Sequence, residues 1–107
     1  MIFDPQFKDR WLKFSLQEQM ANIGAEIGRA INWSKKDKKQ SRVFFERGLE
    51  LLDLTIEDPK NRKRLKELLR VRETLADYFY FDNIYGSSEE KWNSYFYAFN
   101  YAARINH

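Results

Sequence analysis

Apolar residues recur every three or four positions along most of this chain, which is the spacing of an amphipathic helix. The clearest example follows Ser15, which has the spacing of a capping box with Glu18. Behind this pair, one helical face collects Leu16, Met20, Ile23, Ile27, Ala30 and Ile31. The pattern predicts a helix over residues 16–34.

Gly24 and Gly28 lie inside this predicted helix, beside Ala21 and Ala25. Glycine lowers helix propensity, and the usual compensation is a second backbone that packs closely against the small residues. We therefore predict tight packing within the molecule on this face. A contact with a ligand or a partner is the alternative interpretation.

The same periodicity predicts three more helices, over residues 38–57, 59–81 and 88–105. Their starting signals are two capping-box pairs and one aspartate–proline step: Asp37 with Gln40, Ser87 with Glu90, and Asp58 with Pro59. In the helix over 38–57 the predicted apolar face holds Val43, Phe44, Leu51 and Ile56, with Phe45, Leu49 and Leu52 beside them. From the last two helices we expect inside the core Leu65, Leu68, Leu75, Phe96 and Phe99.

The amino-terminal residues 1–14 form either a short helix or a loosely docked arm. Asp4 before Pro5 is a good helix start, and Phe7, Trp11 and Phe14 follow at helical spacing. Short connections between the longer helices favour antiparallel neighbours. The predicted fold is therefore all-α, a single domain over residues 1–107 built as an antiparallel up-down four-helix bundle with an extra amino-terminal piece.

The composition supports an ordered intracellular domain. Hydrophobic residues make up 43% of the chain and charged residues 33%, enough to fill a core and to coat it. The chain has no cysteine, which excludes disulfides and thiolate zinc sites. The amino terminus resembles no secretory signal, and no stretch approaches the ~20 apolar residues of a membrane span. We expect a cytoplasmic protein that does not bind membranes.

Histidine is found only at position 107, and this limits the possible chemistry. Di-iron bundle sites, zincin motifs and serine–histidine catalysis all require an imidazole inside the fold. No glycine-rich phosphate loop is present. We therefore expect no catalytic residues, no bound metal and no cofactor. The alternative is a magnesium-dependent nucleotide hydrolase that uses carboxylates at helical spacing, Glu46, Glu50, Asp53, Glu73 and Asp77.

Basic residues at the start of the helix over 59–81 are the best candidates for binding an anion. Arg62, Lys63 and Arg64 are consecutive, and this end of the predicted bundle has no acidic counterweight apart from Glu57 and Asp58. The net charge of +3 permits a nucleic-acid partner without requiring one. Solvated surface charge is the ordinary interpretation of such a run.

Aromatic residues are unusually dense between residues 78 and 101. From Trp92 to Ala103 the last helix carries no charge. One core-facing stripe cannot bury all of its rings, and tyrosine and tryptophan are enriched in interface hot spots. Tyr97 and Tyr101, one turn apart and off the Trp92–Phe96–Phe99 face, are the first interface candidates, with Tyr85 as the third.

The helical plan and one short stretch of sequence resemble the HEPN domains, small helical bundles that include ribonucleases of toxin systems. The stretch from Arg72 to Phe79 is similar to that family's Arg-x4-His-x-Tyr motif, with Asp77 in place of the histidine and Phe79 in place of the tyrosine. Arg72 would correspond to the motif arginine. The resemblance implies a non-catalytic member, because an aspartate would repel the phosphate of RNA.

Three functions follow from these patterns. The first is a non-enzymatic interaction module that self-associates or binds a partner protein through the aromatic surface of the last helix. The second is a HEPN-like bundle associated with nucleic acid. The third is the magnesium-dependent hydrolase.

Overall fold

The computed structural model describes residues 4–105, so His107 and the rest of both chain ends lie outside the described residues. Within this range the chain is helical and contains no strand. The elements are α1 (Pro5–Trp11), α2 (Leu16–Trp33), α3 (Lys38–Glu57), a 3₁₀ segment (Pro59–Arg64), α4 (Leu65–Tyr80) and α5 (Glu89–Ile105). The all-α fold class is confirmed.

Local capping chemistry fixes the first three helix starts where the sequence predicts them. The Asp4 carboxylate accepts from the Phe7 amide at 2.8 Å. Ser15 and Glu18 form the complete capping box at the start of α2. The start of α5 differs from the prediction, because the hydroxyl of Ser88 accepts from the Lys91 amide, while the Ser87 amide donates to the side chain of Asn83.

Helix α2 lies between α3 and α5, and α4 packs on α3. The buried apolar residues form one cluster drawn from every α-helix. Leu68, Leu75, Phe96 and Phe99 are buried, as predicted. Leu65 is only partly buried, so that part of the prediction is wrong.

The predicted apolar face of α3 is confirmed except at Val43. Phe45, Leu49, Leu51 and Leu52 are buried, whereas Val43 is exposed. The buried face also contains small and polar residues, which a hydrophobicity pattern ignores. Ser41 donates to the Ala30 carbonyl of α2 at 2.6 Å, and Gly48 and Thr55 continue the same buried row. These short side chains let α3 approach α2 closely.

The predicted helix over 59–81 is interrupted at Arg64. Residues Pro59–Arg64 form a 3₁₀ segment, and the regular α-helix begins at Leu65. Asn61 explains the tighter winding, because its side chain is buried and donates to the Gln19 side chain and to the Thr55 carbonyl. These bonds hold the segment against α2 and α3 and keep Leu65 near the surface.

The amino-terminal piece is a docked short helix. Trp11 is buried, and its indole nitrogen donates to the Thr55 hydroxyl of α3 at 3.1 Å. The Trp11 carbonyl accepts from Gln19, and Lys60 donates to the Leu12 carbonyl. These contacts attach α1 to three other elements.

None of the helices described here combines the length and the hydrophobicity that crossing a lipid bilayer demands.

Candidate interaction surfaces

The tyrosine pair of α5, Tyr97 and Tyr101, faces solvent. The exposed fractions of the two residues are 60% and 53%. Their rings are stacked with centroids 6.5 Å apart. The opposite side of α5 is buried through Trp92, Phe96 and Phe99, so the pair stands outside the core.

A groove of about 430 Å³ runs between α2 and α5 beside Tyr97; we call it the α2–α5 groove. None of the described residues that line it is charged, and they include Ala21, Ala25, Gly28, Trp92 and Tyr97. This absence of charge is unusual in a chain in which one third of the residues are charged. The groove can therefore accept an apolar or neutral polar surface.

The two glycines of α2 have different surroundings. A Cβ atom at Gly24 would lie 2.6 Å from the Cβ of Phe96, so glycine is required for α5 to pack here. Within residues 4–105, a Cβ atom at Gly28 would meet nothing within 4 Å. The predicted tight packing within the molecule therefore applies to Gly24 and not to Gly28.

Trp92 lines the same groove and has an unsatisfied donor. The residue is only 6% exposed, and its indole nitrogen has no hydrogen-bond partner among the described residues. Such a buried, unpaired donor is uncommon and costs about 1–3 kcal/mol. The other buried tryptophan, Trp11, is satisfied by Thr55.

Tyr85 lies in a second cavity, apart from the tyrosine pair. Its hydroxyl donates to Glu73, and the guanidinium of Arg70 lies 5.7 Å from the centre of its ring. The hydrogen bond to Glu73 is the main reason that the pKa of Tyr85 is raised. The cavity also contains Phe81 and Ile84, which are 73% and 78% exposed. The sequence pattern did not single out Ile84, because it lies between the helices predicted over 59–81 and 88–105.

Arg72 and Asp77 line this second cavity but bond to different groups. Arg72 donates to the Asp53 carboxylate of α3 at 2.6 Å, and this bond is the main reason that its pKa is raised. Asp77 is buried and accepts from the amides of Ile84 and Tyr85, both at 3.1 Å. Asp77 therefore fixes the loop after α4, where the resemblance to HEPN domains places a histidine.

Of the predicted anion-binding residues, Arg64 differs from the other two. Its side chain pairs with Glu67 at 2.8 Å, and its guanidinium lies 5.8 Å from the centre of the Phe99 ring. Arg62 and Lys63 are exposed and have no ion pair within residues 4–105. Only two of the three cations are therefore free to bind a phosphate.

Three of the five carboxylates considered for a metal site have other roles. Asp53 pairs with Arg72, Glu73 accepts from Tyr85, and Asp77 binds the loop backbone. In the part of the chain that the structure describes, no group of three or more histidine, cysteine or acidic residues is placed to hold a metal ion.

A buried polar cluster that the sequence did not reveal joins α1, α2, α3 and the 3₁₀ segment. Gln19 donates to the Asp58 carboxylate, which also pairs with Lys60. Burial alone would raise the pKa of Asp58, but the hydrogen bonds from Lys60 and Gln19 outweigh it, and the pKa is lowered. The members of this cluster satisfy one another, so its role is structural.

Comparisons of this chain with protein-family models, with curated proteins and with solved structures return no match.

Proposed function

We propose that this chain is a non-enzymatic interaction module that self-associates through the aromatic surface of α5, centred on its tyrosine pair. The observation that carries the proposal is that two adjacent, stacked tyrosines lie more than half exposed next to an uncharged groove. Tyrosine is enriched at the centre of protein interfaces, and charged residues are depleted there. A partner protein with an uncharged surface is the heteromeric version of the same function.

Four of the helices, α2 to α5, supply the rigid frame for this surface, and we infer that they run as antiparallel neighbours. The contacts of α2 with both α3 and α5 support this arrangement. Because Phe96 packs directly on Gly24, the position of Tyr97 relative to α2 is set by core packing. A surface held on two packed helices is preorganised for binding.

Sedimentation equilibrium of the purified protein tests the proposal. We expect a monomer–dimer equilibrium at micromolar concentration. The double variant Tyr97→Ala/Tyr101→Ala should raise the dissociation constant by on the order of 10³-fold, because truncating each hot-spot residue costs roughly 2 kcal/mol.

The matched control is Phe81→Ala/Ile84→Ala, which also removes two exposed apolar side chains but from the second cavity. Its dissociation constant should equal that of the parent. A parent protein that stays monomeric at high micromolar concentration would contradict self-association.

A second candidate function is association with nucleic acid, as the resemblance to HEPN domains suggests. It is favoured by the exposure of Arg62 and Lys63 without ion pairs among the described residues. These two cations lie on the 3₁₀ segment, outside the α2–α5 groove. The two functions are therefore compatible and can be tested separately.

A further inference from the structure

We propose that a second copy of this chain packs into the α2–α5 groove, with its own tyrosine pair placed against Gly28. This inference rests on the proposed self-association and names the surface that receives the tyrosines. Two features are unfavourable in the monomer: the glycine at position 28 inside a helix, and the unpaired indole N–H of Trp92. The inference predicts that contacts in the dimer explain both.

Gly28 is the first argument. A glycine in the middle of a helix is less stable than an alanine, and at Gly24 the contact with Phe96 gives the reason for it. At Gly28 the space for a Cβ atom is empty, so nothing among the described residues requires a glycine. A second chain packed closely on α2 supplies that requirement. Two helices approach each other at short distance only where the residues between them are small.

Trp92 is the second and independent argument. Trp92 lines the groove, and its indole N–H is buried and lacks an acceptor within residues 4–105. Buried donors are nearly always satisfied in folded proteins. A tyrosine hydroxyl of the second copy can accept from this N–H only if the Trp92 side chain moves on association, because the N–H has almost no exposed surface in the single chain.

A second copy is the occupant that fits the charge and the geometry. The tyrosine pair and the groove lie side by side on one face, so a twofold axis between two chains places each pair in the other chain's groove. Each chain has a net charge of +3, which opposes close approach through charged faces. The residues lining the groove carry no charge, so two copies meet there without repulsion between like charges.

Substitutions at Gly28 test the inference because stability and association should change in opposite directions. Gly28→Ala should raise the melting temperature of the dilute monomer by about 4 °C, since a helical glycine is replaced and no clash is created. The same variant should raise the dimer dissociation constant roughly tenfold, and Gly28→Leu should raise it further. The matched control is Thr74→Ala on α4, which also improves helix propensity but lies outside the groove and should leave the dissociation constant unchanged.

The tryptophan indole signals provide a direct measurement. In ¹⁵N-labelled protein, the Trp92 indole N–H should shift downfield as the concentration crosses the dissociation constant. The Trp11 signal should stay fixed, because Thr55 already accepts its proton.

The outcomes separate the inference from the proposed function. If Tyr97→Ala/Tyr101→Ala weakens the dimer but both Gly28 variants associate as the parent does, the groove is not the receiving surface and this inference is overturned while the function stands. A Trp92 signal that does not move during dimerisation overturns it equally. A parent that never dimerises overturns the self-association and, with it, the inference.

Discussion

Asp77 shows how a single buried carboxylate can order a loop. Its carboxylate accepts two backbone amides of the loop after α4, from Ile84 and Tyr85. The loop needs this support because Asn83 has a positive φ of 54° and two exposed apolar neighbours, Phe81 and Ile84. The aspartate at position 77 therefore orders the backbone of the loop after α4.

We expect Asp77→Ala to lower the free energy of unfolding by about 2 kcal/mol, because two amides lose a charged acceptor. Urea unfolding measures this change, and hydrogen exchange should show faster exchange specifically at the amides of Ile84 and Tyr85. Asp82→Ala removes an exposed carboxylate from the same loop and should change the stability by less than about 0.5 kcal/mol. Equal effects of the two variants would refute the proposed role of Asp77.

At the scale of the elements, the 3₁₀ segment is held by hydrogen bonds rather than by helix propensity. Asp58 and Asn61 are buried and connect it to Gln19 of α2. The lowered pKa of Asp58 means that its carboxylate stabilises the folded state when ionised.

The sign of the pH dependence follows from this shift. The contribution of Asp58 is fully present above its unfolded pKa of about 3.8 and is lost as the pH falls through the lower folded value. Asp58→Asn should cost about 1–2 kcal/mol at pH 7 and should give a flatter decline of stability below pH ~4. Lys60→Met keeps the Asp58 carboxylate but removes the cation that pairs with it. The loss of folding stability on acidification should therefore begin at a higher pH in this variant. Urea titrations at a series of pH values measure the free energy of unfolding of both variants. If its decline at acidic pH is the same in both variants as in the parent, Asp58 is not the source of that decline.

The sequence predicts those elements whose signals are local. The Ser15–Glu18 capping box and the periodic face of α2 need no information from the rest of the chain, and both are confirmed. The prediction for the face of α3 was wrong at Val43 and missed Ser41, Gly48 and Thr55, because these three are buried for close approach and hydrogen bonding, not for hydrophobicity. The 3₁₀ segment depends on the contact of Asn61 with Gln19, which is 42 residues away in sequence.

In the candidate site too, the features set by helical spacing could be predicted from the sequence and those set by packing between helices could not. Helical spacing alone placed Tyr97 and Tyr101 off the buried face of α5, where the structure has them. The groove beside them was not predictable, because it forms only when α5 packs on α2. The unpaired indole of Trp92 and the empty space at Gly28 are likewise properties of that packing.

At the scale of the whole molecule, Arg62 and Lys63 are two adjacent exposed cations without an ion pair among residues 4–105. Fluorescence anisotropy with a labelled single-stranded RNA should show binding that weakens as salt is added. Arg62→Ala/Lys63→Ala should weaken that binding and reduce the slope of log K against log salt by about 1.4, because two phosphate contacts are lost. Adding Arg64→Ala should change the slope little further, since that side chain already pairs with Glu67.

Lys38→Ala/Lys39→Ala is the matched control, because it removes the same charge from the exposed start of α3. This variant should keep the slope of the parent. If both pairs reduce the slope equally, the binding is a non-specific effect of net charge and the 3₁₀ segment has no special role.

The packing of α5 on α2 also determines when this protein can complete its core during synthesis. Helices α2 and α3 are neighbours in sequence, and the short connection between them closes rapidly. The side of α2 that receives Phe96 has no cover until residues 89–105 leave the ribosome. Trp92, Phe96 and Phe99 then arrive together as the last large side chains of the core. The nascent chain therefore carries an uncovered helix face through most of its translation, and that face is closed only after synthesis has passed Ile105.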